Sequence, residues 1–139
     1  MKNSGDKHYR GFTLIELLVA VAIFALLTAI AIVSYTTVNR RARDGKRKAD
    51  LEQVRTALEI YRTDNAAYPA GSFSAMIGTL TSPIKYLTTV PADPKGYSYY
   101  YSLSGSSYYL CAYLESGGPG CGGASCAAPG SCNYRVDGP

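Results

Sequence analysis

Three groups of residues in this chain could do chemistry. The first is Glu16, the one charge in the 24-residue run FTLIELLVAVAIFALLTAIAIVSY, Phe12 to Tyr35. An acid at the centre of a membrane helix costs about 2.5–3.5 kcal/mol, and less near an edge. Two roles fit it: lying near the headgroups at the positive end of the helix dipole, or pairing with a cation inside the membrane. Residue type and spacing leave both open. The second group is the block NRRARDGKRK, Asn39 to Lys48, where Arg40, Arg41, Arg43, Lys46, Arg47 and Lys48 surround a single acid, Asp44. Such a block suits DNA phosphates, anionic headgroups, or acids on a neighbouring molecule. The third is Cys111, Cys121, Cys126 and Cys132, crowded into a segment rich in Gly, Ser and Ala. Their spacing contains no CxxC pair, and the sole histidine, His8, is far away. Disulfides in an oxidising compartment therefore fit better than zinc. No Ser/His/Asp, Cys/His or phosphate-loop arrangement is present, so neither an enzyme nor a bound metal or cofactor is expected.

The elements that position these groups follow from pattern. At about 1.5 Å per residue the apolar run reaches roughly 36 Å, enough for a hydrocarbon core of about 30 Å. A signal peptide usually has a shorter apolar core and a small-residue cleavage site, so a retained span is expected. Beyond it Leu51, Val54, Leu58 and Tyr61 recur on one helical face. The other face carries Lys48–Glu52, Glu52–Arg55, Arg55–Glu59 and Glu59–Arg62 at neighbour spacing. Proline is absent until Pro69, and Gly45 is the weak point, costing about 1 kcal/mol relative to Ala. The pattern predicts one helix over 12–64, apolar all round in its first half and amphipathic in its second.

The stretch 65–96 is rich in turns, with prolines at 69, 83, 91 and 94 and a short helix expected over 74–81, Met76, Ile77 and Leu80 inward. YSYYYSL (97–103) and SYYLCAYL (107–114) read as a hairpin closed by SGS, with a third strand expected in CNYRV (132–136). The 13 tyrosines fit strands, having an apolar body and a wet tip; adhesion or charge transport along stacked rings is the other reading. The long loop between the second and third strands needs a tie. Four cysteines allow three pairings. The expected one joins Cys111 to Cys132, strand to strand, and staples the loop with Cys121 to Cys126. The larger loop is then worth roughly 3 kcal/mol by the chain-entropy model.

GFTLIELLVAVAIF, with a short basic leader (Lys2, Lys7, Arg10) ending in Gly11, then Phe12, Thr13-Leu14-Ile15 and Glu16, resembles the class III signal of bacterial type IV pilins and type II secretion pseudopilins. DNAAYP and VPADPKGYSYYYS are similar to the major pseudopilin pattern, an acidic, proline-flanked turn before a hairpin. The resemblance implies cleavage between Gly11 and Phe12 by a membrane-embedded prepilin peptidase, followed by methylation of the new Phe12 amine. It implies that Glu16 meets the Phe12 amine of a neighbouring subunit, where opposite charges in low dielectric attract and an unpaired one is penalised. An inner-membrane assembly platform would receive the subunit, and the product would be a filament of like subunits.

The chain departs from the resemblance twice. Many relatives carry a proline within the apolar segment, and this one has none there. Major pseudopilins often hold calcium in an acidic C-terminal loop. Here the loop offers only Glu115 and Asp137 at its borders, and a hard cation wants several oxygen ligands, so disulfides are expected to take over the tethering.

The positive-inside rule would hold the basic block in the cytoplasm, whereas the disulfides and the resemblance place the C-terminal part outside. The expectation is an α+β, pilin-like chain: leader 1–11, filament-core or transmembrane helix 12–35, amphipathic helix 36–64, and a head over 65–139 with a three- to four-stranded antiparallel sheet. Its expected role is a type IV pilus subunit, with a type II secretion pseudopilin as the near rival and a minor pilin acting as adhesin or DNA receptor as the third reading. Before assembly it would be a single-pass membrane protein with the head outside the cytoplasm.

Overall fold

The chain was analysed as a computed structural model that describes residues 11–127 and 130–139, the side chains at 33 and 34 excepted. The expected leader, up to Arg10, lies outside the described residues. Five elements follow one another: α1 (Leu14–Asn65), α2 (Phe73–Thr81), β1 (Tyr100–Ser104), β2 (Ser107–Ala112) and β3 (Tyr134–Asp137). Contacts divide the chain into a unit ending at Val38 and a unit Asn39–Pro139.

In the first unit α1 is apolar on every side, and its large apolar side chains are exposed. Phe12 is 88% exposed, Phe24 74% and Leu27 59%. The helix is long and apolar enough to cross a membrane by length and composition.

In the second unit the remainder of α1 lies against a sheet of order β1-β2-β3, antiparallel throughout. Ser104 pairs with Ser107, so the hairpin loop is Gly105-Ser106. Gly105 takes φ 62°, the positive value a tight hairpin asks of its first central residue. Period-2 alternation turns Tyr101, Tyr108, Leu110 and Val136 toward Leu51, Val54 and Leu58 of α1 and Met76, Ile77 and Leu80 of α2. Each fully buried leucine here contributes about 1.5–3 kcal/mol. Ser72 caps α2 by accepting from the Ala75 N–H.

The buried tyrosines complete this core by placing their hydroxyls on partners. Tyr99 donates to Asp50 at 2.7 Å, Tyr108 to Glu59 at 2.7 Å and Tyr101 to the Pro69 carbonyl at 2.8 Å. Burial pushes all three hydroxyls up in pKa, Tyr101 to about 12. Of the expected surface pairs on α1, Glu52–Arg55 forms at 3.6 Å. Glu59 is instead claimed by Tyr68 and Tyr108.

The disulfide pairing corrects the expected one. Cys111 joins Cys121, and Cys126 joins Cys132. In the β2–β3 register Cys111 faces Arg135 and Ala112 faces Tyr134, so Cys132 is not the residue opposite Cys111. Cys126–Cys132 instead lies beside a bridge between Ser125 and Ser131, where the Cys132 N–H donates to the Ala124 carbonyl. All four cysteines are buried, beneath Tyr100, Tyr109 and Tyr113. The third strand begins two residues later than expected, since Asn133 turns its side chain to Leu114, accepting from its N–H at 2.6 Å and donating to its carbonyl at 2.9 Å.

Two glycines test the packing in opposite directions. A Cβ on Gly118 would stand 2.1 Å from the Asn133 carbonyl oxygen, whereas a Cβ on Gly45 meets nothing within 4 Å. Gly118→Ala should cost about 1–3 kcal/mol, while Gly45→Ala, in a helix interior, should gain about 1 kcal/mol. Thermal unfolding of both variants with disulfides intact checks the opposite signs.

Candidate functional site

The N-terminal segment is built by a local exchange of hydrogen bonds. Glu16 Oε2 accepts from the Thr13 N–H at 2.9 Å and from Thr13 Oγ1 at 2.8 Å, while the Glu16 N–H donates to Thr13 Oγ1 at 3.3 Å. Thr13 precedes the first helical residue, Leu14, so this is a capping box. It satisfies backbone donors that would otherwise be unpaired at the start of an apolar helix, and it sets the carboxylate at the positive end of the dipole. Gly11 and Phe12 lie just before it, exposed and non-helical. The structure thus brings Glu16 to Thr13, a residue whose role the sequence reading missed although T-x-x-E is the signature of such a cap.

The basic block has a different fate. Arg47 has no exposed side-chain surface and is held by three carboxylates from three parts of the chain. Its Nη1 donates to Asp44 at 2.8 Å and to Glu115 at 3.1 Å, and its Nε and Nη2 donate to Asp93. Arg43 forks onto Glu115 at 2.6 and 2.7 Å, and Lys95 reaches the same carboxylate at 3.1 Å. Asp44 also accepts from the N–H groups of Glu115 and Ser116 and from Ser116 Oγ. Lys46 pairs with Asp50 and donates to the Ala92 carbonyl. Lys48 sits 5.2 Å over the Tyr134 ring. Arg40 and Arg41 alone of the six are exposed with neither an ion pair nor a ring contact among the described residues.

These contacts set the charge states. Burial raises the Asp44 pKa, but hydrogen bonds from Ser116, Glu115 and Arg47 outweigh it and hold the carboxyl below its ordinary range. Asp93 is likewise lowered, burial being overcome by Arg47 and by the N–H groups of Lys95 and Tyr97. Glu115 is lowered further, first by Arg43, against burial, and then by Lys95 and Arg47. Among the described residues no group of His, Cys, Asp and Glu is arranged to hold a metal.

Comparison with known proteins adds the following. The prokaryotic N-terminal methylation motif matches residues 6–32, and the type II secretion system protein G model matches residues 34–126. The chain is 31% identical to type II secretion system core protein G of Pseudomonas aeruginosa, over 69% of this chain and 75% of that one. It is 29% identical to the core protein G of Vibrio cholerae, over 81% and 86%. It is also 29% identical to the type IV wide pilus major component PilA4 of Thermus thermophilus, over 80% and 86%. No solved structure matches at a significant level.

The carboxylate cluster predicts a pH profile. Groups whose folded pKa is depressed add stability above their unfolded pKa, near 4, and lose it as pH falls through the folded value. Stability of the head should therefore fall with pH below about 5. Arg47→Ala strands buried Asp44 and Asp93 and should cost about 3–5 kcal/mol at neutral pH, with much of the acid dependence abolished. Urea unfolding between pH 3 and 7 checks both.

Proposed function

Since the chain belongs to the type II secretion system protein G family, we propose that it is a structural subunit, matured from a precursor and polymerised into a secretion filament. Prepilin peptidase cuts between Gly11 and Phe12 and methylates the Phe12 amine. The inner-membrane assembly platform then takes up the subunit. The observation that carries this reading is the joint match: a methylation motif over 6–32 followed directly by the protein G region over 34–126.

The exposed apolar unit supports it. Leu14, Leu17, Leu18, Val21, Ala22 and Ala25 line one shallow groove of nearly pure hydrocarbon. Such a surface requires lipid before assembly and other copies of the same helix afterwards. A contact between like subunits that does not close on itself grows into a filament. The head translocates despite its basic block, since the charge rule governs short loops rather than folded domains of this length. The filament is then periplasmic or exposed at the surface.

A surface pilus is the second reading, favoured by the likeness to the pilus component of Thermus thermophilus over 80% of this chain. Sequence alone puts the pilus first, and the relatives fit both readings. The adhesin or DNA-receptor reading loses ground because Arg43, Lys46 and Arg47 are engaged within the head.

Glu16 has a capping role and an assembly role in this proposal, and two variants separate them. Glu16→Gln can keep the capping box but loses the charge; Thr13→Val keeps the charge but loses the hydroxyl. Filament yield from cells should collapse, by tenfold or more, with Glu16→Gln and stay near normal with Thr13→Val, both chains being inserted and cleaved. Normal filaments with Glu16→Gln would reduce Glu16 to a cap.

A further inference from the structure

We propose that Arg40 and Arg41 form a docking site for anionic phospholipid headgroups, holding the head of the unassembled subunit against the outer face of the membrane. The inference rests on the reading that the run 12–35 spans a bilayer before assembly.

The fold selects these two residues from the block. Arg43, Lys46 and Arg47 are spent on Glu115, Asp50, Asp44 and Asp93, and Lys48 on the Tyr134 ring. Arg40 and Arg41 are exposed and have no such partner among the described residues. A guanidinium that the fold leaves open presents five donors in a planar fork that matches phosphate.

Position decides which phosphate. Arg40 follows Tyr35 by five residues, so by chain reach alone it lies within about 18 Å of it. Tyr35 is 70% exposed and closes the apolar run. Tyrosine favours the membrane interface, where its ring meets acyl chains and its hydroxyl meets water. A phosphate layer is therefore within reach at all times before assembly, whereas DNA has to be brought to the membrane surface. Each arginine near an anionic surface favours it by about fivefold.

The test uses the full-length chain, purified in detergent with an equimolar mixture of phosphatidylglycerol and phosphatidylcholine, and counts retained lipids by native mass spectrometry. Wild type should retain phosphatidylglycerol over phosphatidylcholine by about fivefold or more. Arg40→Gln/Arg41→Gln should bring the ratio to about one, and Arg55→Gln, which loses only a surface pair with Glu52, should leave it unchanged. A wild-type ratio of one, or an unchanged ratio in the double variant, overturns the proposal. So does a ratio of one joined to duplex DNA binding that the double variant abolishes, which would assign the two arginines to DNA. Carbonate-resistant association with membranes separately reports the span, so failure of that reading is distinguished from failure of the lipid site.

Discussion

A buried arginine needs carboxylates, and the head of this protein is organised around that need. Arg47 has no exposed side-chain surface. An isolated buried charge would cost many kcal/mol, so its partners must be fixed and well aligned. They come from α1 itself (Asp44), from the turn-rich connection before β1 (Asp93), and from the segment after β2 (Glu115). One guanidinium thus fastens two irregular segments to the helix. Asp93 also accepts from the N–H groups of Lys95 and Tyr97, and Asp44 from those of Glu115 and Ser116. The acids therefore shape the turns while they neutralise the cation. Arg43 and Lys95 balance the charge that Glu115 adds.

The remaining ties act on what this cluster leaves loose. The loop after Glu115 has little apolar content, and two disulfides with Asn133 hold it against β2 and β3. Tyrosines fasten the sheet to α1 at Asp50 and Glu59. The head consequently completes its own hydrogen bonding: among the described residues no buried side-chain polar atom lacks a partner. The apolar unit is the opposite case. Its large apolar side chains are exposed, and that is the physical reason to expect other copies around it.

Much of this was legible in the sequence, and the failures have physical causes. The helix, α2 with its inward Met76, Ile77 and Leu80, and the hairpin followed from periodicity and turn chemistry, because burial there is apolar. The buried stripe of α1, however, runs through Asp44, Arg47, Asp50, Leu51, Val54, Ala57 and Leu58. Hydrophobic periodicity sees only its second half. The charged half looks like solvated surface until Asp93 and Glu115, 46 and 68 residues from Arg47, are brought to it by the fold. The disulfide pairing is one of the three that four cysteines allow, and turn signals did not choose among them. Thr13 was legible in principle, as the first residue of a T-x-x-E capping box.

Maturation at Phe12 followed by polymerisation leaves its mark on the intact mass of filaments recovered from cells producing the chain. Mass spectrometry should find a single species beginning at methylated Phe12, with all four cysteines bridged. A species beginning at Met1, confined to the membrane fraction and absent from filaments, would contradict it.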